Sequence, residues 1–205
     1  FFFYFLANPS SAFGHSFFRL NRYPIPSPIK IENPKILDLG VNFAAVVDTN
    51  NPLIYGWAGM FGGFKGIFST TPYYMKVREY ADFESRDLWE YDLSLTEAQT
   101  QLLVFHIWEL DSTYFNYYFL FENCSYHSLT ALDVVDEKLN LQDRVPFYVI
   151  PVDTIKALYE VPGLVDKVHY RPSLRTQFEA RKDEVPPGFR SWILAVGENP
   201  SVTSE

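Results

Sequence analysis

The sequence is poor in residues and patterns that several classes of protein require. Its 205 residues contain one cysteine, Cys124, so neither an internal disulfide nor a cysteine zinc cluster can form. Basic residues number 17 against 25 acidic ones, a formal net charge of −8, and they form no cluster of four or more. Because nucleic-acid binding depends on a positively charged surface, nucleic acid is not an expected partner.

Patterns typical of cofactor and metal sites are also missing. The glycines of "GMFGGFKG" lack the strand and helix context of a nucleotide-binding loop, and "GHS" lacks the two glycines that flank the serine of a nucleophile elbow. Neither "HExxH" nor a comparable spacing of histidine and carboxylate occurs. We therefore predict that the protein uses no cofactor and no metal.

Long apolar segments are absent as well. The opening "FFFYFLA" is apolar for only about seven residues, which is too short to span a bilayer, and it lacks the basic leader of a signal peptide. We interpret Phe1 to about Leu6 as a buried strand, and a chain that begins inside an element as a mature or trimmed form.

Aromatic residues are abundant, with 19 Phe and 14 Tyr, and hydrophobic residues make up 47% of the chain. A chain of this length buries about 70% of the surface that its unfolded form exposes, so it needs no disulfide or metal to fold. We predict one α+β domain over residues 1–205, with a polar tail from about residue 197.

Strand and helix signals are mixed along the chain. "ILDLGVNFAAVVD" is typical of a strand buried on both faces, and "DLWEYDLSL" alternates as a half-buried antiparallel strand does. Thr96 and Gln99 form a capping-box pattern that opens a helix with an apolar repeat at Leu102, Phe105 and Trp108. Apolar residues at helical spacing follow Cys124, and two later helices have predicted caps; these residues are Leu129, Leu132 and Val135, and the caps Asp153 and Ser173. The glycine- and aromatic-rich stretch 55–74 predicts an aromatic hairpin on the core, or alternatively a mobile lid over an acyl pocket.

The cysteine lies at a predicted helix start. Asn123 is a good N-cap residue, which places Cys124 in the first turn, where the helix dipole and unpaired amides lower the pKa of a thiol. Free cysteine is also among the most buried residue types. The residues alone therefore leave two interpretations open, a nucleophile and an inert core residue.

Four histidines compete for the role of a base: His15, His106, His127 and His169. His106 lies in a predicted helix, where a structural role is the usual one. His127 is on the helix of Cys124, but its side chain starts one turn further along. His15 follows Gly14 in a predicted extended segment, where a ring can be fixed and aimed, so we favour His15.

Several long segments resemble a known family. "FGHSFFRL", "VNFAA", "PYYMKVREYADFESRDLWEYDLSLT", "YFNYYFLFENCSY" and "RPSLRTQFEAR" together are similar to the Lnb N-terminal periplasmic domain, over about residues 5 to 182. The family is named for a bacterial lipoprotein intramolecular transacylase that resembles circularly permuted papain-like NlpC/P60 enzymes and lecithin retinol acyltransferases. The resemblance implies a permuted papain-like fold in which antiparallel sheet packs with helices and the catalytic cysteine begins a helix.

The same resemblance implies a mechanism and a set of site residues. Cys124 and His15 occupy the motif positions of a catalytic dyad, and Asn42 of "VNFAA" is the candidate that orients the imidazole, with Asp38 in reserve. The dyad then moves an acyl chain from a diacylglyceryl group through a thioester to an amine. The candidate substrate-binding residues, from the resemblance and the residue types, are Arg19, Glu122, Asn123, Tyr126, Trp57 and Phe61.

The chain departs from that transacylase in one respect. After the domain it has no segment of about 20 apolar residues, the length that a membrane-spanning helix needs. Either the sequence is a cut form, or it is a soluble relative with a different acyl or amide substrate. The alternative functions are a papain-like amidase or peptidase on cell-wall peptides, and an inactive lipid- or protein-binding module. The expected partners are a lipid or lipoprotein substrate, or a cell-wall peptide, with contact to a membrane surface. The expected location is the periplasm or the extracytoplasmic face of a bacterial membrane.

Overall fold

A computed structural model describes residues 14–21, 38–182 and 184–198 of the protein. The predicted strand from Phe1 to about Leu6 and most of the predicted polar tail lie outside these residues. The chain divides into two compact units, one of residues 1–76 and 91–168 and one of residues 77–90 and 169–205. That the whole chain is one domain stays a prediction.

The first unit contains a four-stranded antiparallel sheet, in the order β1 (Phe18–Leu20), β2 (Leu39–Val46), β3 (Phe64–Pro72) and β5 (Phe115–Tyr117). β2 is the strand predicted from "ILDLGVNFAAVVD", and three consecutive residues, Val41, Asn42 and Phe43, are buried. Burial on both faces agrees with its nearly continuous apolar pattern. The predicted mixture of helices with antiparallel sheet is thus confirmed.

The prediction of an aromatic hairpin at residues 55–74 was wrong. The segment forms helix α1 (Pro52–Phe61) followed by β3. Asn51 accepts hydrogen bonds from the amides of Leu53 and Ile54, Pro52 is the first helical residue, and Gly62 ends the helix with a φ of +74°. These residues are strong start and stop signals for a helix, which outweigh its two internal glycines.

Helix α3 (Glu97–Leu110) begins with the predicted capping box of Thr96 and Gln99. The predicted apolar repeat, however, faces solvent, and the helix buries Leu103 and Ile107 in the core instead. The two sets lie on different faces of the same helix, and both are apolar, so periodicity could not tell them apart.

Helix α4 (Cys124–Asp133) packs against β2, α3 and α5 (Pro151–Tyr159). Its residues Leu129 and Leu132, as predicted, are buried in the core. α5 begins two residues before the predicted cap, Asp153, whose carboxylate accepts a hydrogen bond from the amide of Ile150. The apolar face of α4 is therefore anchored in the core, which fixes the position of its first residue, Cys124.

The second unit contains α6 (Leu174–Lys182) and α7 (Pro187–Glu198), together with the π-helical turn Arg78–Phe83. Ser173 caps α6, as predicted, through its hydroxyl and the amide of Thr176. Asp87 accepts hydrogen bonds from the Tyr170 hydroxyl, the Ser173 amide and the Thr176 hydroxyl. The described residues also form α2 (Tyr73–Val77), the 3-10 helical turn Gln142–Arg144, and a two-stranded sheet of β4 (Leu88–Leu93) and β6 (Val165–Arg171).

Candidate functional site

Cys124 is the first residue of α4, as the sequence predicted. The side chain of Asn123 accepts hydrogen bonds from the amides of Ser125 and Tyr126, at 2.9 and 3.3 Å. Its NH₂ group donates to the carbonyls of Val149 and Phe119, at 2.6 and 3.0 Å. Asn123 is buried and fully engaged, so it fixes the cysteine in place, and no substrate contact is needed to explain it.

His15 lies just before β1 and not within a strand, in the described stretch 14–17. Gly14 has a φ of +103°, a conformation that glycine adopts without strain. The antiparallel register that sets Phe18 opposite Val41 brings the residues before β1 alongside Asn42. The backbone conformation of Gly14 and this register together place the imidazole at the start of α4.

His15, Asn42 and Cys124 meet in one hydrogen-bonded group. Nε2 of His15 is hydrogen-bonded to Oδ1 of Asn42, and the ring is also hydrogen-bonded to the thiol of Cys124. Because Oδ1 is an acceptor, Nε2 carries the proton, and Nδ1 is the nitrogen that exchanges a proton with the thiol. This arrangement gives the ring a defined tautomer and orientation.

The two ionisable groups shift each other's pKa. Burial raises the pKa of the Cys124 thiol, but the charge of His15 and hydrogen bonds from His15, Ser16 and Ser125 outweigh it, so that the pKa is lowered. Burial lowers the pKa of His15, and the charge and hydrogen bond of Cys124 outweigh that effect and raise it. The arrangement therefore favours a thiolate and imidazolium pair.

Three residues at the thiol were missed by sequence reasoning. The Ser16 amide and the Ser125 hydroxyl donate to the sulfur, and the two serine hydroxyls are 3.4 Å apart. Tyr117, buried at the end of β5, places its hydroxyl near the thiol and the amide of Cys124. Ser16 and Ser125 adjoin the dyad in sequence, which was an available signal, whereas nothing in the sequence ties Tyr117 to the thiol.

Two of the other candidates, Arg19 in β1 and Asp38 directly before β2, lie at the four-stranded sheet. Asp38, the reserve partner of His15, forms a salt bridge of 2.8 Å with Arg19, and the Arg19 guanidinium also lies 5.0 Å from the centre of the Tyr73 ring. Asn42 is thus hydrogen-bonded to Nε2 of His15, while Asp38 pairs with Arg19. A substrate-binding role for Arg19 stays a prediction.

The remaining candidates lie on α1 or at the start of α4. Glu122 is half-buried, and its carbonyl accepts a hydrogen bond from the Tyr118 amide. The Tyr126 hydroxyl accepts a hydrogen bond of 2.7 Å from Gln142. Trp57 and Phe61 are exposed on α1, with ring centres 4.3 Å apart. Their predicted contacts with substrate stay predictions.

Of the other histidines, His127 lies on α4 but points into the core, where its ring centre is 4.0 Å from that of Phe43. His106 is half-buried on α3 and His169 is exposed on β6. Within residues 14–21, 38–182 and 184–198, no three His, Cys, Asp or Glu side chains are grouped as a metal site requires. In the same part of the chain, no helix has the length and apolar character needed to cross a bilayer.

Comparison with known proteins supports the resemblance noted above. The family model described as the Lnb N-terminal periplasmic domain matches residues 1–161. These residues include the whole group of Cys124, His15, Asn42 and Tyr117. No curated protein and no solved structure matches the chain.

Proposed function

Since the chain belongs to the Lnb N-terminal periplasmic domain family, a family of bacterial periplasmic domains, we propose that it is a thiol-dependent acyltransferase that processes lipoproteins. In this proposal the domain is a permuted papain-like fold of the NlpC/P60 type. Cys124 is the nucleophile, His15 its proton-exchange partner and Asn42 the residue that orients the imidazole.

The observation that carries the proposal is the hydrogen-bonded group of Cys124, His15 and Asn42. A thiol at a helix start, with a histidine held by a third polar side chain, is the arrangement that activates cysteine for attack on acyl groups. An inert core cysteine requires neither a hydrogen-bonded histidine nor the amide of Ser16 at its sulfur.

In the first step the Cys124 thiolate attacks the ester carbonyl carbon of a diacylglyceryl group, and a carbon–sulfur bond forms. The ester carbon–oxygen bond then breaks, and the departing glycerol oxygen takes the proton from the His15 imidazolium. The products are a thioester on Cys124, a free glycerol hydroxyl and a neutral imidazole.

In the second step an amine, such as that of an N-terminal cysteine of a lipoprotein, attacks the thioester. Its proton passes to Nδ1 of His15, an amide bond forms and the carbon–sulfur bond breaks. Cys124 and His15 return to the thiolate and imidazolium pair. If water replaces the amine, the same residues carry out hydrolysis.

Both steps develop negative charge on a carbonyl oxygen. The amides of Ser125 and Tyr126 are occupied by Asn123, which leaves the Cys124 amide as the first-turn donor beside the sulfur. The Tyr117 hydroxyl lies near that amide and the thiol. We assign the Cys124 amide and the Tyr117 hydroxyl to the stabilisation of this oxyanion.

The pH dependence of Cys124 alkylation by iodoacetamide tests the dyad. Wild-type protein should react quickly near pH 6, because His15 lowers the pKa of the thiol. His15→Ala should react about a hundredfold more slowly at that pH, since a thiol of pKa about 8.5 is less than one per cent ionised there. His106→Ala is the matched control and should behave as wild type.

Labelling that ignores His15, or that rises only near pH 8.5, would contradict the dyad. Once the dyad is established, incubation with a diacylated lipopeptide should add the mass of one acyl chain to Cys124. Release of a new amine from cell-wall peptides without acylation by lipopeptide would instead identify an amidase. Unchanged cellular phenotypes of Cys124→Ala and His15→Ala would identify a binding module.

A further inference from the structure

Helix α1 packs with its small residues inward and its large apolar residues outward. Its buried residue is Gly59, with Ala58 and Tyr55 half-buried beside it. The large apolar side chains are exposed by 43 to 84%; they are Leu53, Ile54, Trp57, Met60 and Phe61. At about 100° per residue these five occupy one face about 120° wide. We call these five residues the α1 apolar face.

The α1 apolar face lies in a stretch that carries no charge. Between Asp48 and Lys65, residues 49–64 contain no acidic, basic or histidine side chain, although charged residues make up 20% of the chain. The face itself offers a single polar group, the indole N–H of Trp57. Tryptophan with Phe, Leu, Ile and Met is the side-chain set that partitions to the boundary between lipid headgroups and acyl chains.

The exposed face of α3 shows what distinguishes α1. α3 also exposes Leu102, Phe105 and Trp108, but it carries Glu97 and Glu109. Insertion of such carboxylates into lipid is costly, whereas α1 has none to insert. A protein partner would normally meet a polar rim with several hydrogen-bonding groups, and α1 lacks these too.

We propose that the α1 apolar face docks on the surface of a lipid bilayer with mainly zwitterionic headgroups. An interfacial helix on its own needs a polar face toward water, but the opposite face of α1 is already covered by the protein. The choice of zwitterionic lipid follows from charge, because the chain has a net charge of −8 and α1 supplies no cation for anionic headgroups.

Docking through α1 also bears on the site, and this part rests on the proposed function. The carbonyl of Gly59 accepts a hydrogen bond from the Phe119 amide, and the Phe119 carbonyl accepts one from Asn123, the residue that caps α4. Two hydrogen bonds thus connect α1 to the cap beside Cys124. A docked α1 carries the thiol to the surface where diacylglyceryl substrates reside.

Co-sedimentation of the full chain with phosphatidylcholine vesicles tests the proposal. Wild-type protein should bind, and Leu53→Glu with Trp57→Glu should lower the partition coefficient by about tenfold or more, since a carboxylate must then enter the interface. Trp108→Glu on α3 is the matched control, because Trp108 and Trp57 are 76% and 69% exposed. That variant should bind as wild type.

Circular dichroism and the thermal midpoint establish that each variant is folded. Absence of wild-type binding, equal losses in the α1 and α3 variants, or lipid-free self-association through α1 would each overturn the proposal. Cys124→Ser should bind vesicles as wild type does. Failure of the alkylation test would therefore overturn the dyad and leave α1 docking intact, whereas failure to bind vesicles would leave the dyad intact.

Discussion

His127 stands one helical turn after Cys124, yet its surroundings belong to the core and not to the thiol. Its ring centre lies 4.0 Å from that of Phe43 and 4.8 Å from that of Phe115, and among the described residues its Nε2 has no hydrogen-bond partner. Burial lowers the pKa of His127 to about 4. A neutral ring is therefore part of the folded state.

This burial predicts a loss of stability in acid. Between pH 6.5 and 4 the unfolded chain binds a proton at His127 and the folded chain does not, so the free energy of unfolding falls as the pH falls, by about 3 kcal/mol over that range. His127→Phe should remove this part of the dependence. Urea denaturation at pH 7, 5 and 4 measures the free energy of unfolding of each variant, with His106→Phe as the control. If that free energy falls equally with pH in wild type and in His127→Phe, the prediction is contradicted.

Tyr117 is the residue-scale test of the oxyanion site. Burial raises the pKa of its hydroxyl, and the neighbouring Cys124 raises it further, so the group stays protonated and able to donate. Tyr117→Phe should slow acylation of Cys124 by a p-nitrophenyl ester about 10²-fold, as expected for the loss of one oxyanion donor.

Iodoacetamide provides the internal comparison for Tyr117, because its reaction with a thiolate develops no tetrahedral oxyanion. The maximal rate of alkylation should therefore change little in Tyr117→Phe. Equal losses with both reagents would show that Tyr117 only maintains the thiolate or the structure around it.

At the scale of the element, α1 depends on close approach to Phe119. A Cβ atom on Gly59 would lie 2.1 Å from the Phe119 ring, and that ring is enclosed by Tyr55, Phe64 and Tyr117. A Cβ atom on Gly56 of the same helix would meet no atom within 4 Å. The packing of α1 on Phe119 therefore requires glycine at position 59, whereas position 56 has room for a side chain.

Gly59→Ala should lower the free energy of unfolding by about 1–3 kcal/mol, because the enclosed ring has to move. Gly56→Ala should raise it by about 0.5–1 kcal/mol, because alanine loses less backbone entropy in a helix. Urea denaturation of the two variants measures both, and a destabilised Gly56→Ala or a neutral Gly59→Ala would refute this packing of α1.

At the scale of the whole molecule, the net charge of −8 sets the preference among lipid surfaces. Adding an anionic lipid to phosphatidylcholine vesicles should weaken binding, because the chain and the vesicle then repel each other. Raising the salt concentration should restore it, since salt screens that repulsion. Stronger binding to anionic vesicles at low salt would show that a basic patch, and not the α1 apolar face, directs docking.

Local signals predicted several of the individual elements. The capping residues Thr96, Asn123 and Ser173 start helices where expected, because a cap depends on atoms only two or three residues away. The burial of β2 was equally readable from its apolar pattern. Predictions went wrong at α1, where two internal glycines obscured the local cap signals, and at α3, where two apolar sets on different faces left the buried one to be chosen by neighbouring elements.

The sequence by itself determined that Cys124 starts a helix, that His15 follows a glycine, and that the chain belongs to its family. Only the tertiary structure decided that Asn42 is hydrogen-bonded to His15, that Asp38 pairs with Arg19, and that Tyr117 lies near the thiol. The reason is physical: helix starts and turns are set by interactions within a few residues. The neighbours of a thiol come instead from strands distant in sequence, whose register and packing decide which side chains meet.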